Sequence, residues 1–185
     1  THWLATAAGM SILEKGGNAF DAAVATGLAL QVIEPHLNGP AGEVPMVVCR
    51  GGSDKVSAIC GQGVAPAAMT IEKFKDLDVA MIPGAGLLPA TVPGSFGAWM
   101  LLLRDFGTMN LEDVFAPALG YARNGYPVVP GIHTLLSALR DLFVTEWTSS
   151  ADTYLINGNV PDVNSMVTNP VLADTYTRII KDAEA

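Results

Sequence analysis

The sequence predicts a mixed α/β (α+β) chain, mostly helical, with one β-hairpin. Three observations predict it. Cap and stop residues recur along the chain with helical lengths between them. Two short runs rich in strand-forming residues, MVVCR at 46–50 and KVSAICG at 55–61, are separated by GGSD. Stretches rich in Gly and Pro, GQGVAPAAMT at 61–70 and PGAGLLPATVPG at 83–94, break the remainder into separate elements. The 185 residues are enough for a hydrophobic core, and the chain reads as one segment, 1–185.

A first helix is expected over 4–15, ended by Gly16 and Gly17, which tolerate the left-handed conformation of a helix C-cap. Asn18 then caps a second helix. Asp21, three residues on, is the reciprocal acid of a capping box, and the helix stops before Pro35. Ala22, Ala23, Ala25, Gly27 and Ala29 put small side chains on nearly every face, which lets neighbouring backbones come close. This helix is therefore expected at the centre of the fold. The loop HLNGPAGEVP at 36–45 leads to the hairpin, which should belong to a larger sheet because an isolated hairpin is marginal in water. If Arg50 faces Lys55, Cys60 lies near Pro45, about four residues along the ladder from Cys49 and too far for a disulfide. Both thiols read as free, small buried hydrophobes. They fit a reducing compartment, the cytoplasm, with the periplasm as the alternative.

A short helix is expected near 71–77. Ser95 caps a helix through 105 that Gly107 closes, and Asn110 with Asp113 caps the next. Pro117 is expected to open a fresh helix, PALGYARNG at 117–125, rather than to sit inside one. Helices over 131–145 and 170–183 complete the chain, the last with Asn169 as cap and Pro170 at its first position.

Composition excludes several functions. The net charge is -8, and ten Lys and Arg residues are scattered singly, so no basic patch is available to track a phosphate backbone. The longest apolar run, 22–33, falls short of the roughly 20 residues that span a bilayer. With 50% hydrophobic and 15% charged residues, the chain is expected to bury surface against a partner or against further chain.

The candidate chemistry is sparse. An N-terminal threonine such as Thr1 can use its own amine as general base, but such a nucleophile should begin a strand, whereas this stretch reads as a cap entering a helix. His2, His36 and His133 have no second ligand at metal-binding spacing and read as surface or cap residues. Glu34 and Glu43 flank the loop and read as solvated acids. Asp21 reads as a helix cap rather than a catalytic acid. The GAG at 84–86 lacks the rest of a dinucleotide fingerprint. No catalytic residue, metal or cofactor is assigned.

Four motifs in consistent order, GGNAFDAAVATGLALQVIEPH, NGPAGEVPMVV, GQGVAPAA and PATVPGSFGAWMLLLRDFGTMNLEDVFAPALGYARNGYPV, resemble the large-subunit portion of the gamma-glutamyltransferase (gamma-glutamyltranspeptidase) family of N-terminal nucleophile hydrolases. The resemblance runs from Leu4 to about Val129, with a compatible helical continuation to Ala185. It implies a precursor that cuts its own chain before a threonine, releasing a small subunit whose new N-terminus is the nucleophile. It also implies a four-layer αββα sandwich shared by both subunits, to which this chain contributes the N-terminal part. The expected partners are then the remainder of the precursor and a small-molecule amide substrate, without nucleic acid, membrane span or cofactor.

One residue is implied to touch substrate. In family members acting on glutathione, an arginine four positions before the Pro of the Ala-Pro pair grips a carboxylate; counting back from Pro66 gives Gln62, which is neutral. That departure weighs against glutathione chemistry, and CGQGVAP is similar to the branch of small-amide hydrolases such as oxamate amidohydrolase. A structural loop amide is the other reading of Gln62. An acylase of the same superfamily and a non-catalytic scaffold are the rival functions.

Overall fold

The structure is a computed structural model and describes residues 2–183. In chain order its elements are α1 (Trp3–Glu14), α2 (Ala19–Ile33), β1 (Val44–Cys49), β2 (Val56–Gly61), α3 (Ile71–Asp76), α4 (Ser95–Phe106), α5 (Leu111–Asn124), β3 (Tyr126–Pro127), α6 (Pro130–Thr145), α7 (Thr148–Tyr154), β4 (Met166–Val167) and α8 (Pro170–Ala183). They form two compact units, one of residues up to Gly39 and from Leu103 onward, the other of Pro40–Leu102.

In the first unit the expected capping box forms. Asn18 Oδ1 accepts from the backbone N–H groups of Phe20 and Asp21, at 2.8 and 3.0 Å, while Asp21 accepts from Asn18 N at 2.8 Å. The small residues of α2 do what their size allows. Val24, Ala25, Leu28, Ala29 and Ile33 are fully buried, and α2 packs against both α1 and α5. A Cβ at Gly9 would strike the Thr26 hydroxyl, so α1 and α2 meet at a separation that glycine sets.

Helix α5 corrects the expectation for Pro117. The helix runs unbroken from Leu111 with Pro117 inside it. Proline forgoes one backbone hydrogen bond and costs about 3 kcal/mol in a helix interior. Burial of Val114, Phe115, Ala118 and Ala122 on one stripe opposes that cost. On the same side α8 packs against α5, where the Phe115 and Tyr176 rings meet edge to face at 5.1 Å. Three elements lie outside the expectation: the short antiparallel strands β3 and β4 and the polar helix α7.

In the second unit β1 and β2 pair antiparallel with Cys60 opposite Pro45 and Cys49 opposite Val56, the register expected. Both cysteines are free. They are exposed, however, and not buried as expected, because strand alternation turns them outward with Pro45, Val47, Val56 and Ala58, while Val48 and Ile59 are buried on the opposite face. Among the described residues the hairpin is a two-stranded sheet and joins no larger one. The start of α4 also differs from expectation. Gly94 O accepts from Ala98 N at 3.2 Å and so stands in the cap position. Ser95 instead donates its N–H to Gly42 O and its hydroxyl to Pro40 O, both at 3.0 Å. The loop residues 40–42 are thereby tied to the first turn of α4. Among the described residues no helix is long and apolar enough to cross a membrane.

Candidate functional site

Gln62 is the residue immediately after β2, and its side chain is exposed. Its backbone is held far more tightly than its exposure suggests. Val92 N donates to Val64 O at 3.0 Å, laying residues 62–64 along residues 92–94. A Cβ at Gly63 would overlap the Val92 carbonyl oxygen. One at Gly94 would lie 2.5 Å from Gly61 O and 2.9 Å from both Gln62 C and Gly63 N. Two backbones in such direct contact leave no room for side chains, so glycine is required at 63 and 94 on steric grounds. The GQGVAP and ATVPG stretches therefore form one structure, a backbone clamp from which the Gln62 side chain projects. Period-two alternation puts that side chain on the outward face with Cys60, whose thiol donates to Gln62 Oε1 at 3.9 Å.

Asp21 is a heavily bonded acid. Besides closing the capping box it accepts from Thr108 N, Thr108 Oγ1 and Met109 N, at 2.9, 2.7 and 3.2 Å. It has no solvent exposure, and its four donors are all structural. The helix-cap reading holds. Thr108 and Met109 carried no signal in the sequence, because a contact 87 residues away in the chain leaves no periodicity to read.

Glu34 departs from the expected solvated acid: it is buried at the C-cap of α2, while Glu43, in the second unit, is exposed. His2 caps α1, its Nδ1 accepting from Leu4 N at 3.2 Å, and it is buried and stacked on Trp3. Burial pushes the His2 imidazole below its ordinary pKa, against the opposing pull of the Glu34 carboxylate. His133 Nδ1 lies 2.9 Å from Pro161 O, and half-buried His36 lines a cavity of about 60 Å3 with Ile132, Leu136, Phe143 and Tyr154. His2 is thus a cap, as the sequence allowed, while His36 and His133 are half-buried. No group of three His, Cys, Asp or Glu side chains suited to a metal ion occurs among the described residues. Thr1 lies outside the described residues.

A neutral amide on a rigid backbone can read a polar group of a ligand by hydrogen bonding. The residues gathered around it include no nucleophile paired with a base.

The family described as Gamma-glutamyltranspeptidase matches residues 5–184. The glutathione hydrolase-like YwrD proenzyme of Bacillus subtilis (strain 168) is 40% identical over 128 residues, covering 69% of this chain and 24% of that protein. The oxamate amidohydrolase proenzyme of Klebsiella pneumoniae is 30% identical over 188 residues, covering 98% of this chain and 35% of that protein. Among solved structures, LmbA2991T421A superposes with a TM-score of 0.96 at 49% identity, over 100% of this chain and 31% of its own. The chain thus spans about a quarter to a third of the length of the curated relatives it matches.

Proposed function

The chain belongs to the gamma-glutamyltranspeptidase family, and from that membership we propose that it is part of the large subunit of a self-processing amide hydrolase or acyl transferase. A threonine outside these residues supplies the nucleophile. Its hydroxyl attacks the amide carbon while its own amine takes the proton. The C–N bond then breaks with that proton passing to the leaving amine, and water or a second amine resolves the acyl-enzyme. This chain provides the scaffold and, through Gln62, a hydrogen bond to the acyl portion. The remainder of the precursor is the obligatory partner, and the exposed apolar face of Pro45, Val47, Val56 and Ala58 suits burial against it. Two cysteines without a disulfide fit the reducing cytoplasm.

The observation that carries the role of Gln62 is the clamp: the residue in the position of the family's carboxylate-binding arginine sits on a backbone fixed by Gly63 and Gly94. An amide lacks the charge and the fork of a guanidinium, so small amides whose acyl end is read by hydrogen bonds suit it better than γ-glutamyl compounds. The full-length protein, assayed on oxamate, on a γ-glutamyl anilide and on amides with larger acyl groups, tests this reading. Hydrolysis of the small amide and a gain on the γ-glutamyl anilide in Gln62→Arg are expected. Unaltered rates on every substrate in that variant would remove Gln62 from the site.

A further inference from the structure

We infer that this site selects acyl groups ending in a hydrogen-bond acceptor oxygen, because Cys60 sets which end of the Gln62 amide meets the substrate. The inference rests on the assignment of Gln62 to the acyl pocket.

A primary amide has one accepting end and one donating end, nearly equal in shape and opposite in polarity. Alone on a mobile stem it presents either. Here the stem starts from a clamped backbone, and the carbonyl end is engaged: Cys60 donates its S–H to Gln62 Oε1 at 3.9 Å. The two side chains share a face because they are two residues apart where the chain leaves β2. Cys49, on the same face, sends its thiol to the carbonyls of Arg50 and Ser53 instead.

With Oε1 turned to the thiol, Nε2 is the prong turned away, carrying two N–H donors. A pair of neutral N–H groups can donate to a carboxylate, an ester or an amide oxygen, most strongly to the carboxylate, and has nothing to offer an ammonium, which brings only further donors. An arginine there would favour the anion over its neutral isosteres. The chemical class is therefore a small amide whose acyl group ends in an oxygen acceptor, charged or not. Cys60 is a positioning residue, acting through Gln62.

Three amides of similar size separate the possibilities in the self-processed full-length protein: oxamate, ending in a carboxylate; oxamide, ending in a neutral amide; and glycinamide, ending in an ammonium. Oxamate and oxamide are expected as substrates, with kcat/KM for glycinamide lower by about tenfold or more. Cys60→Val, which removes the donor, is expected to raise KM for oxamate about threefold to tenfold with kcat little changed, and to narrow the discrimination against glycinamide. Cys60→Ser, which keeps a donor, is expected to restore both; Cys60→Ala serves as the donor-less variant if valine prevents processing. In a Gln62→Ala background the Cys60 change should add nothing. Raised KM in Gln62→Ala with wild-type behaviour in Cys60→Val, or additive effects of the two, would overturn the role of Cys60 while leaving Gln62 in the pocket. Wild-type kinetics in Gln62→Ala would overturn the assignment of Gln62 and this inference with it.

Discussion

Thr108 donates twice to Asp21, through its backbone N–H at 2.9 Å and its hydroxyl at 2.7 Å. With Asn18 N and Met109 N, four donors converge on one fully buried carboxylate. Burial alone pushes this carboxyl pKa up, but the bonds from Asn18, Thr108 and Met109 outweigh it and hold the group below its ordinary value. Asp21 therefore stays ionised and fastens the turn before α2 to the turn before α5. Its place in the first turn of α2 adds the favourable end of the helix dipole.

Asp21→Ala is expected to destabilise the folded protein by roughly 2 kcal/mol, since it removes a cap and leaves the part-buried N–H groups of Thr108 and Met109 without their acceptor. Denaturant unfolding measures it. A loss below about 0.5 kcal/mol, the size of an ordinary surface change, would show that the carboxylate is dispensable.

Acid should remove the same stabilisation. The folded pKa of Asp21 lies below the ordinary value of 3.8, so its contribution is complete above that value and is lost as pH falls through the folded pKa. The stability difference between wild type and Asp21→Asn is thus expected to be constant near neutral pH and to shrink only below about pH 4. A difference that shrinks between pH 7 and 5 would contradict the sign of the shift.

Local chemistry made much of this fold legible. Asn18 with Asp21, Asn110 and Asn169 each declare a helix start, and each side chain accepts the bond its type suggests. Pro117 was misread because its local preference is for a first turn, and what overrides it is the buried stripe of Val114, Phe115 and Ala118, a tertiary effect. The exposure of Cys49 and Cys60 depends on which face of the hairpin is covered, and an apolar run on both faces does not declare that. The β3–β4 pair joins Tyr126 to Val167 and Pro127 to Met166, only two positions on each strand, too few to show alternation. At the candidate site, GQGVAP and ATVPG were each visible as motifs. Their mutual contact, Gly63 against Val92, is a three-dimensional fact without a sequence signature.

Gly63→Ala should damage the site more than the scaffold. The added methyl meets the Val92 carbonyl oxygen, backbone that cannot swing aside as a side chain does. A rise in KM of the full-length protein is expected, with far-ultraviolet circular dichroism nearly unchanged, since α1, α2, α5 and α8 belong to the other unit. Wild-type KM would show that the backbone clamp does not position Gln62.

Tyr176 and Gln31 form a buried pair between α8 and α2, the phenol donating to Gln31 Oε1 at 3.2 Å. Burial pushes the Tyr176 phenol well above its ordinary pKa, so it remains a donor throughout the working range. Tyr176→Phe is expected to cost about 1–2 kcal/mol in an unfolding measurement, because the amide oxygen loses a donor in a dry setting. A neutral outcome would mean that the aromatic contact with Phe115, and not the hydroxyl, fixes α8.

The proposed function makes this chain one part of a shared catalytic sandwich whose nucleophilic threonine is made by cleavage elsewhere in the precursor. Intact mass and N-terminal sequencing of the purified full-length protein test it most directly. Two fragments are expected, the smaller beginning with threonine, with loss of both cleavage and amidase activity when that threonine is replaced by alanine. A single uncut chain that hydrolyses amides would contradict it.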